Sequence, residues 1–515
     1  MEYCMQLKTT TMIHADCTIS DFEIKPDAEL SLKKKACVLK NELFYHIWIP
    51  AFYDSNNDGT GDINGITIKL DYLASLGIKG IWLSPFFECD YKGDNMHGYD
   101  TTDFYSVNPR LGTIEDIKNL LHTAHTKGIS ILFDLPMNHT SHAHPWFIDS
   151  KKGGAYKDWY IWNEAPGDGW HIIWDEARAK KTWHSHSDSH YYGVFSGYMP
   201  DLNFVNNEVR NEMARIITYW LNMGFDGVRI DGARYIYEDG PEKISDTQRT
   251  HLLFQTIRKD IFDKYSETGY SKLLIAEAWG EKEIIRNYYG NNDEFHSCFN
   301  FPLTQLIPDL INNVAHAETK INGLIEYQLT HYPEKYLGGI FLTNHDLAGN
   351  RPATEFKNDH KKMALAAAIQ FFLPGTPFVY YGNEVGMHNA NLKGDMKLRS
   401  KMEWEKQQND NAVFKSYNAL CSVYNTILND FEDIDFAFHG ANKGILSFVR
   451  IGSGKRIVFL FNYTGKMKTI DIDPLKYGGV TIQHEIINGR KLDHSEILQS
   501  EQSLPAYSFC IIVIS

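Results

Sequence analysis

Short runs of β-branched and aromatic residues alternate with amphipathic stretches of helical period from residue 43 to residue 384. Eight runs have the length and composition of buried parallel strands, and they are LFYHIWIP (43–50), GIKGIWLSPF (77–86), GISILFDLP (128–136), GFDGVRID (224–231), KLLIAEAW (272–279), FHSCFNF (295–301), GIFLTNHD (339–346) and TPFVYYGNE (376–384). Parallel neighbours need a crossover between them, and eight strand–helix units close into a barrel. The alternation therefore predicts an α/β protein built on a (β/α)8 TIM barrel.

Two of the crossover stretches carry helix start and stop signals. The stretch 113–128 begins with Thr113, a good N-cap residue, and stops at Gly128. The stretch 206–224 begins with Asn206 or Asn207 as its cap and stops at Gly224. Both are predicted to be barrel helices.

One connection is too long for a barrel loop. About 70 residues separate the third strand from the next helix, whereas such loops usually have roughly 2–6 residues. We expect an inserted domain over 138–203 that divides the barrel into 41–137 and 204–433. Beyond the barrel, alternating strands predict a C-terminal antiparallel β-sandwich over 434–515, and residues 1–40 form an N-terminal extension.

The composition is that of a globular protein, and it narrows the possible partners. Acidic side chains outnumber basic ones by 65 to 51, so the formal net charge of −14 disfavours nucleic acid and anionic membranes. No stretch approaches the roughly 18 apolar residues of a membrane-spanning helix. The seven cysteines include no CxxC pair, and the first residues lack a signal-peptide pattern. These features favour a cytoplasmic protein.

Charged side chains stand at the ends of the predicted strands, where a barrel builds its functional face. The fourth strand ends in Arg229 and Asp231, the fifth in Glu277, and the seventh in His345 and Asp346. Each residue alone has an ordinary explanation as a salt bridge or a helix cap. Three acids from three strands favour a single catalytic pocket.

Three carboxyl groups and an arginine, without a phosphate loop or a metal cluster, suit the hydrolysis of glycosides. Retaining glycosidases place a carboxylate nucleophile about 5–5.5 Å from a carboxylic acid. The third acid is then available to bind the sugar. An aromatic content of 13% also suits the apolar faces of sugars.

Five short motifs strengthen this interpretation, and they are DLPMNH (134–139), MPDLN (199–203), GVRID (227–231), AEAW (276–279) and TNHD (343–346). Their order and spacing resemble those of the α-amylase family of glycoside hydrolases, family 13, over roughly residues 43–515. The MPDLN motif is intermediate between those of the oligo-1,6-glucosidase and neopullulanase subgroups. The resemblance implies a catalytic barrel with an inserted B domain after strand 3 and a C-terminal β-sandwich.

The resemblance also implies roles for the strand-end acids. Asp231 is expected to be the nucleophile that forms a covalent glycosyl-enzyme, and Glu277 the acid that protonates the leaving oxygen and then activates water. Arg229, two residues before Asp231 on the same strand face, is expected to keep that carboxylate ionised. Ala278 and Trp279 are expected to desolvate Glu277 and raise its pKa.

Further residues are expected to bind the sugar itself. By the resemblance, Asp346 would hold sugar hydroxyls and stabilise the distorted ring, with His139 and His345 on hydroxyls of the same sugar. After the second strand, Tyr99 resembles the aromatic platform of the family's cleavage subsite, and His97 resembles a hydroxymethyl contact. These residues would form the floor of the pocket.

Some positions differ from the family pattern and bear on specificity. Met96 stands where exo-acting relatives carry an acid, which favours an open, endo-acting cleft. Gly232 follows the nucleophile, where specialists in α-1,6 links tend to carry Val, so the α-1,4 link is favoured. Arg234 and Tyr235 stand where many α-amylases bind acceptor sugars through a Lys-His pair, and Arg234 is expected to contact substrate there.

The loop DSNNDGTGD (54–62) has the composition of a cation site. Its hard oxygen donors alternate along the chain as calcium requires, and they are the side chains of Asp54, Asn56, Asp58 and Asp62 with the carbonyl of Thr60. The loop resembles the calcium loop of some barrel amylases, which implies one structural Ca²⁺. A turn without metal is the alternative. A second calcium, bound in many α-amylases through the equivalent of Asn138, has no partners that the sequence identifies.

The sequence therefore leads to a retaining, endo-acting α-1,4-glucan hydrolase that acts on starch or maltooligosaccharides. An α-glucosidase, or a glucosyltransferase or isomerase such as a glucanotransferase or trehalose synthase, would use the same three acids and differ in the exclusion of water. A catalytically silent member of the family is disfavoured because all three acids are present.

Overall fold

The computed structural model describes residues 17–32, 41–90, 97–172, 181–334, 338–346, 348–407, 410–428, 431–432, 435–452, 454–471, 482–487, 490–492 and 501–514. Its centre is a barrel of eight parallel strands: β1 (Phe44–Ile47), β2 (Gly80–Leu83), β3 (Ser130–Leu135), β4 (Gly227–Ile230), β5 (Leu273–Ala276), β6 (Ser297–Cys298), β7 (Gly339–Ile340) and β8 (Thr376–Tyr380). β8 pairs with β1, and a parallel bridge from Phe299 to Gly339 joins β6 to β7, so the ring closes. All eight predicted strands are confirmed.

The longer α-helices connect successive barrel strands, and shorter ones lie in the loops at the ends of the strands. The α-helices are Ile49–Phe52, Ile63–Ser75, Ile114–Thr126, Pro145–Ser150, Asn207–Met223, Gln248–Ile257, Asp263–Glu267, Lys282–Asn287, Phe301–Ile311, Ala317–His331, Pro352–Glu355, His360–Phe372 and Ala412–Leu428. The two predicted caps are confirmed, since Thr113 accepts from the Asp116 N–H and Asn206 accepts from the Glu208 N–H. Gly224, with φ at 132°, ends the second of these helices.

Inward-facing side chains change from apolar to charged along the strands. Because successive side chains alternate in direction, every second residue of a strand faces the barrel interior. The lower layer is an apolar cluster, and its strand residues are Phe44, Trp82, Leu132, Leu273, Ile275 and Phe378. Asp134 lies two residues after Leu132 on β3, and Glu277 lies two residues after Ile275 of β5. The charged residues therefore lie on a packed apolar floor at the carboxyl ends of the strands.

The long connection after β3 contains structure of its own. A helix at Pro145–Ser150 is followed by a small antiparallel sheet, whose strands are Trp162–Asn163, Trp183–His186 and Ser189–Tyr192. A bridge between His139 and Asp201 joins the start and the end of this insertion. A second, shorter excursion after β2 forms a two-stranded sheet of Phe87–Cys89 and Thr101–Val107.

The C-terminal region is antiparallel, as predicted. Six strands form one sheet, and they are Asp435–Asn442, Ile445–Gly452, Lys455–Asn462, Ser508–Ile514, Ile482–Ile487 and Arg490–Leu492. A second sheet has two strands, Lys468–Asp471 and Glu501–Leu504. Leu504 packs with Val458 and Cys510 between the two sheets. On the opposite face, Phe459 lies 5.1 Å from Phe372 of a barrel helix.

Part of the N-terminal extension is docked on the barrel. The backbone N–H groups of Ser20 and Lys25 donate to the side chains of Asn211 and Asn222 at 2.8 and 2.7 Å. Both asparagines lie on the helix Asn207–Met223. Within the described part of the chain, no helix combines the length and apolarity that a bilayer crossing requires.

Candidate active site

Arg229 is the centre of the charged layer. Its guanidinium is 1% exposed and contacts three carboxyl groups, with Asp134 at 2.6 Å, Asp231 at 2.7 Å and Glu277 at 2.8 Å. These residues come from the ends of β3, β4 and β5. The backbone N–H of Gly232 also donates to Glu277 Oε2 at 3.0 Å. One buried cation thus brings the two predicted catalytic acids, Asp231 and Glu277, together.

The third predicted acid, Asp346, belongs to the same site. Its Oδ2 lies 2.8 Å from His345 Nε2 and 3.9 Å from Arg229. Its Oδ1 accepts from Arg399 at 3.0 Å, and the Arg399 guanidinium lies 4.3 Å over the ring of Trp48. The sequence pattern did not identify Arg399, which follows β8 in a segment without strand or helix periodicity.

These groups border a cleft of about 810 Å³ at the carboxyl ends of the strands. Its lining residues are His97, Tyr99, His139, Phe195, Met199, Asp231, Gly232, Arg234, Tyr235, Glu277, Trp279, Asp346, Asp395 and Arg399. The two remaining predicted site residues, Arg229 and His345, lie beneath it in contact with the acids. Met96, on which the expectation of an open cleft rested, lies outside the described residues.

The cleft has a buried half and an exposed half. In the buried half, the rings of Tyr99 and His345 are stacked 5.6 Å apart, and His139 Nε2 lies 3.1 Å from the Tyr99 carbonyl oxygen. In the exposed half, Phe195 of the insertion packs against Tyr235 at 5.4 Å. The same cleft thus combines buried polar side chains, the catalytic acids and partly exposed aromatic side chains.

The ionisation of the acids differs from the sequence-based expectation. Burial raises the pKa of Asp231 well above its usual value, and the nearby Glu277 and Asp134 carboxylates add to this effect. Arg229 lowers the pKa of Asp231, as expected, but it is shared among several acids. Burial also raises the pKa of Asp134 to about 7. In the free enzyme, the crowding of these carboxyl groups in a buried space therefore opposes the simultaneous ionisation of all of them.

The histidines of the site are neutral at ordinary pH. Burial lowers the pKa of His139 to about 3 and that of His97 to about 4. Burial, with Arg399 and Arg229 nearby, lowers the pKa of His345 well below its usual value. Neutral imidazoles donate and accept hydrogen bonds without titrating, which suits contacts with sugar hydroxyls.

Of the two residues expected to desolvate Glu277, Ala278 is fully buried, whereas Trp279 is largely exposed. Its side chain is 45% exposed and stacks on Phe301 at 4.8 Å, with the rings 9° from parallel. Glu277 itself is 9% exposed and contacts Arg229 at 2.8 Å and the Gly232 N–H at 3.0 Å. The loop after β5, and not sequence proximity, decides where Trp279 lies.

Comparison with known proteins agrees with the geometry of the site. The family model for the alpha-amylase catalytic domain matches residues 46–427. The chain belongs to the alpha-amylase family. It is an enzyme family that acts on α-glucans, and the chain carries the family's barrel together with a C-terminal antiparallel sheet.

Members of the family that are similar to this chain are named for different activities. Alpha-amylase 3 of Dictyoglomus thermophilum is 36% identical over 71% of this chain and 68% of its own length. The trehalose synthase/amylase TreS of Mycolicibacterium smegmatis is 33% identical over 72% of this chain and 67% of its own. The crystal structure of the alpha-amylase from H. orenii matches 92% of this chain and all of its own, with a TM-score of 0.76 and 28% identity. Family membership thus leaves the specific reaction open.

The loop predicted to bind calcium is a compact turn. Asp54 accepts from the backbone N–H groups of Asn57, Asp58 and Gly59 at 2.7–3.2 Å. Asp62 caps the following helix by accepting from the Gly65 N–H at 2.6 Å. Asp54 Oδ1 already accepts two of these N–H groups, whereas Asp54 Oδ2 and the Asp62 oxygens each have a lone pair available, so hard oxygen donors suited to Ca²⁺ remain in the turn.

The remaining loop donors lie in the same turn. Asn56 and Asp58 are joined by a side-chain contact of 3.3 Å, and Thr60 accepts from Arg110 at 2.8 Å through its hydroxyl. A pocket of about 310 Å³ next to the loop is lined by Asp58, Thr60 and Arg399. This pocket therefore connects the loop to Arg399, which also lines the cleft.

A second group of oxygens was not found from the sequence. Asn138 and Asp201 are buried beside Glu238 where the insertion meets the barrel. Burial raises the pKa of Asp201 well above its usual value and that of Glu238 to about 7. Within the described ranges, Asp201 Oδ2 has no hydrogen-bond partner. A buried carboxylate oxygen without a partner, near a second acid and an amide side chain, is chemically suited to a cation, although among the described residues no three acidic, histidine or cysteine side chains are grouped as a metal site.

Proposed function

We propose that this chain is a retaining, endo-acting α-1,4-glucan hydrolase that cuts starch or maltooligosaccharides. The observation that carries the proposal is the shared contact of Asp231 and Glu277 with one guanidinium, that of Arg229. This arrangement favours the short carboxyl separation, about 5–5.5 Å, at which the first acid attacks the sugar directly.

The mechanism follows from the positions of the two acids. Asp231 attacks the anomeric carbon while Glu277 gives its proton to the leaving oxygen, which forms a glycosyl ester and releases the shortened chain. Glu277, now a carboxylate, takes a proton from water as that water attacks the anomeric carbon and breaks its bond to the Asp231 oxygen. The carboxylate of Asp231 is then regenerated, so configuration is retained over the two steps.

The buried half of the cleft is suited to the sugar that becomes attached to the enzyme. Tyr99 provides a flat ring at the floor, and the neutral His97, His139 and His345 can bond hydroxyls. Asp346, held by His345 and Arg399, can bind two hydroxyls of the same ring and favour its distortion in the transition state. Arg234 lines the cleft and gives three of its five N–H groups to Asp246 and the Trp279 carbonyl, so two remain for the acceptor contact expected of it.

The choice of the α-1,4 link rests on Gly232. A Cβ built at this glycine would lie 2.8 Å from the Phe195 ring, and the glycine has φ at +52°. A larger residue, as in specialists for the α-1,6 link, would displace Phe195 from the exposed half. The intact Phe195 wall therefore supports the α-1,4 assignment.

Glucosyl transfer or isomerisation is the second candidate. Relatives named as a trehalose synthase/amylase and a 4-alpha-glucanotransferase match the chain at 33% and 32% identity. A transferase would use the same glycosyl ester and differ in the exclusion of water from the cleft. The exposed half, with Trp279 at 45% exposure, favours hydrolysis.

We also propose that the 54–62 loop holds one structural Ca²⁺ through Asp54, Asn56, Asp58, the Thr60 carbonyl and Asp62. The ion would stabilise the turn between β1 and the first barrel helix. A second cation at Asn138, Asp201 and Glu238 would neutralise the buried acids at the junction of the insertion and the barrel. Neither ion is required for the two chemical steps.

A time-resolved product profile tests the proposed reaction. We expect maltooligosaccharides blocked at the non-reducing end to be cut internally, soluble starch to lose viscosity early, and the α-anomer to be released first. Amylose and maltotriose should be hydrolysed faster than pullulan, sucrose or trehalose. Glucose as the sole early product, or conversion of maltose to trehalose as the main reaction, would reject the hydrolase in favour of the alternatives.

A further inference from the structure

Residues 17–32 form a strap that lies along the helix Asn207–Met223. Cys17, the first residue of the strap, is fully buried. Three further apolar side chains of the strap are half-buried against the barrel core, and they are Ile19, Phe22 and Ile24. The strap precedes the part of the chain that matches the family model, so its contacts are additions to the family's barrel.

Arg210 joins the strap to the segment where the inserted domain rejoins the barrel. Its Nε donates to the Thr18 carbonyl of the strap at 3.0 Å. Its Nη1 donates to the Phe204 and Val205 carbonyls at 2.7 and 2.8 Å. The residue is 4% exposed. A planar guanidinium can bind both segments with fixed geometry, which the ammonium group of lysine cannot do.

The Phe204 carbonyl also accepts a hydrogen bond from the loop after β4. The Tyr237 hydroxyl donates to it at 2.8 Å, and the Phe204 and Tyr237 rings lie 6.1 Å apart. Arg210 and Tyr237 therefore share one acceptor. The loop that follows the nucleophile is thus joined to the end of the inserted domain, and both are joined to the strap.

These two segments meet a second time at the cleft. Phe195 of the inserted domain packs against Tyr235 of the loop at 5.4 Å, and both side chains line the cleft. Phe204 and Tyr237, further along the same two segments, are 1% and 2% exposed. The cleft wall, which we define as Phe195 and Tyr235, therefore has a buried, hydrogen-bonded base at Phe204 and Tyr237.

The strap is also bonded to the residue next to Arg210. Asn211 Oδ1 accepts from the Ser20 N–H at 2.8 Å, and Asn211 is 1% exposed. We propose that the strap sets the position of the cleft wall, with Arg210 as a positioning residue that acts through Phe204. The wall in turn controls how the glycosyl ester partitions between water and a second sugar. This inference rests on the proposed function and concerns the fate of its intermediate.

The glycosyl ester on Asp231 can react in two ways. Water or a sugar hydroxyl attacks the anomeric carbon, the bond to the Asp231 oxygen breaks, and Glu277 takes the proton of the attacking group. Water gives a hydrolysed sugar, whereas the sugar hydroxyl gives a new glycosidic bond. A wall held in one position orients an acceptor sugar and limits the entry of water. Loosening of the wall should therefore shift the partition towards hydrolysis.

α-Maltosyl fluoride with added glucose measures this partition. Transfer gives maltotriose and hydrolysis gives maltose from the same intermediate, so the early product ratio does not depend on how much of the enzyme is active. For Arg210→Lys and for Tyr237→Phe we expect the ratio of transfer to hydrolysis to fall about three- to tenfold, because each substitution weakens the base of the wall. Arg258→Lys is the matched control, since Arg258 also donates to a carbonyl, that of Glu294, outside the cleft lining.

The contribution of the strap is tested from its own side. Asn211→Ala removes the acceptor of the Ser20 N–H and should lower the same ratio about two- to fivefold. Asn211→Asp retains an acceptor oxygen and should restore most of it. If both residues act through the strap, Arg210→Lys combined with Asn211→Ala should lower the ratio by less than the product of the two single effects.

Hydrogen exchange followed by mass spectrometry tests the wall without catalysis. Exchange over 199–205 and 233–238 should be faster in Arg210→Lys than in the wild type, and unchanged in Arg258→Lys. All measurements are made below the melting temperature of every variant. Unchanged exchange in Arg210→Lys would show that this residue does not hold the wall.

The two measurements separate the remaining outcomes. Faster exchange with an unchanged product ratio in an active Arg210→Lys enzyme would overturn the positioning role, and so would a wild type that forms no transfer product. A wild type that does not turn over α-maltosyl fluoride would reject the proposed function, whereas hydrogen exchange would still test the support of the wall by the strap.

Discussion

Arg399 donates a hydrogen bond to Asp346 Oδ1 at 3.0 Å, across 53 residues of sequence. Its Nε also donates to the His345 carbonyl at 3.0 Å, and its guanidinium covers the ring of Trp48. Two separate parts of the barrel rim, the loops after β1 and β7, thus fix one side chain. The consequence is that the third acid of the site is oriented by a cation different from the one shared by Asp231 and Glu277.

Replacement of Arg399 by Lys should therefore impair catalysis strongly. Lysine retains the charge but cannot contact Asp346 and the His345 carbonyl in the same plane, so we expect kcat on maltotriose to fall about hundredfold. Arg215→Lys, in an exposed ion pair with Glu212, is the control and should change kcat little. Steady-state kinetics check this prediction, and a kcat for Arg399→Lys within threefold of wild type would contradict it.

Asp231→Asn and Glu277→Gln should abolish turnover without unfolding the protein. Each removes a group that takes part in bond making or proton transfer, so kcat should fall by about 10³-fold or more. The melting temperature should be equal or higher, because one fewer carboxyl then competes for Arg229. Activity within tenfold of wild type for either variant would reject its assignment.

Stability should fall in acid partly through His144. Its Nδ1 accepts from the Trp146 N–H at 3.1 Å and caps a helix of the insertion, and burial lowers its pKa to about 3. An unfolded histidine titrates near 6.5, so between about pH 6.5 and pH 3 the unfolded state binds more protons. This contribution is present in full above pH 6.5, and it is lost as pH falls, by up to about 1.4 kcal/mol per pH unit.

Urea unfolding between pH 7 and pH 4 checks this linkage. His144→Asn retains an acceptor for the cap but does not titrate, so its stability should fall less steeply with acid than that of the wild type. His122→Asn, at an exposed helix position, should follow the wild-type curve. Parallel curves for His144→Asn and the wild type would show that His144 does not contribute.

Removal of Ca²⁺ should lower the melting temperature. An ion that binds only the folded 54–62 loop stabilises the protein by mass action, so chelation and Asp58→Ala should have the same effect. Asp188→Ala, at an exposed turn, should have none. Most activity at low temperature should survive, since the chemical steps use Asp231, Glu277 and Asp346. Calorimetry with and without chelator is the measurement, and loss of activity at an unchanged melting temperature would contradict a structural role.

Much of the site could be predicted because barrel geometry is periodic. Alternating inward positions on β3, β4 and β5 place Asp134, Arg229 and Glu277 above an apolar layer, and these positions can be read from the strand pattern alone. Loops have no such period. Arg399 and the orientation of Trp279 therefore depended on contacts that close only in the folded chain.

The difference between local pattern and long-range contact also explains why the protein contacts of Arg234 could not be predicted from the sequence. The sequence shows a cation three residues after the nucleophile, which suggested a contact with substrate. Its partner Asp246 lies 12 residues further along a loop, and the Trp279 carbonyl lies on the next strand's loop. Neither distance can be deduced from residue types, so the sequence did not predict these two contacts, and the contact of Arg234 with substrate stays a prediction.

By itself, the sequence determined the barrel, the insertion, the C-terminal strands and the identities of the acids, because these depend on periodicity and on residue types at strand ends. Only the tertiary structure decided how the acids ionise. Four carboxyl groups, Asp134, Asp231, Glu277 and Asp346, converge from four strands on Arg229 in a buried space, and their pKa values depend on that crowding. Burial and the distances between charges arise only when distant segments meet, and no local pattern contains them.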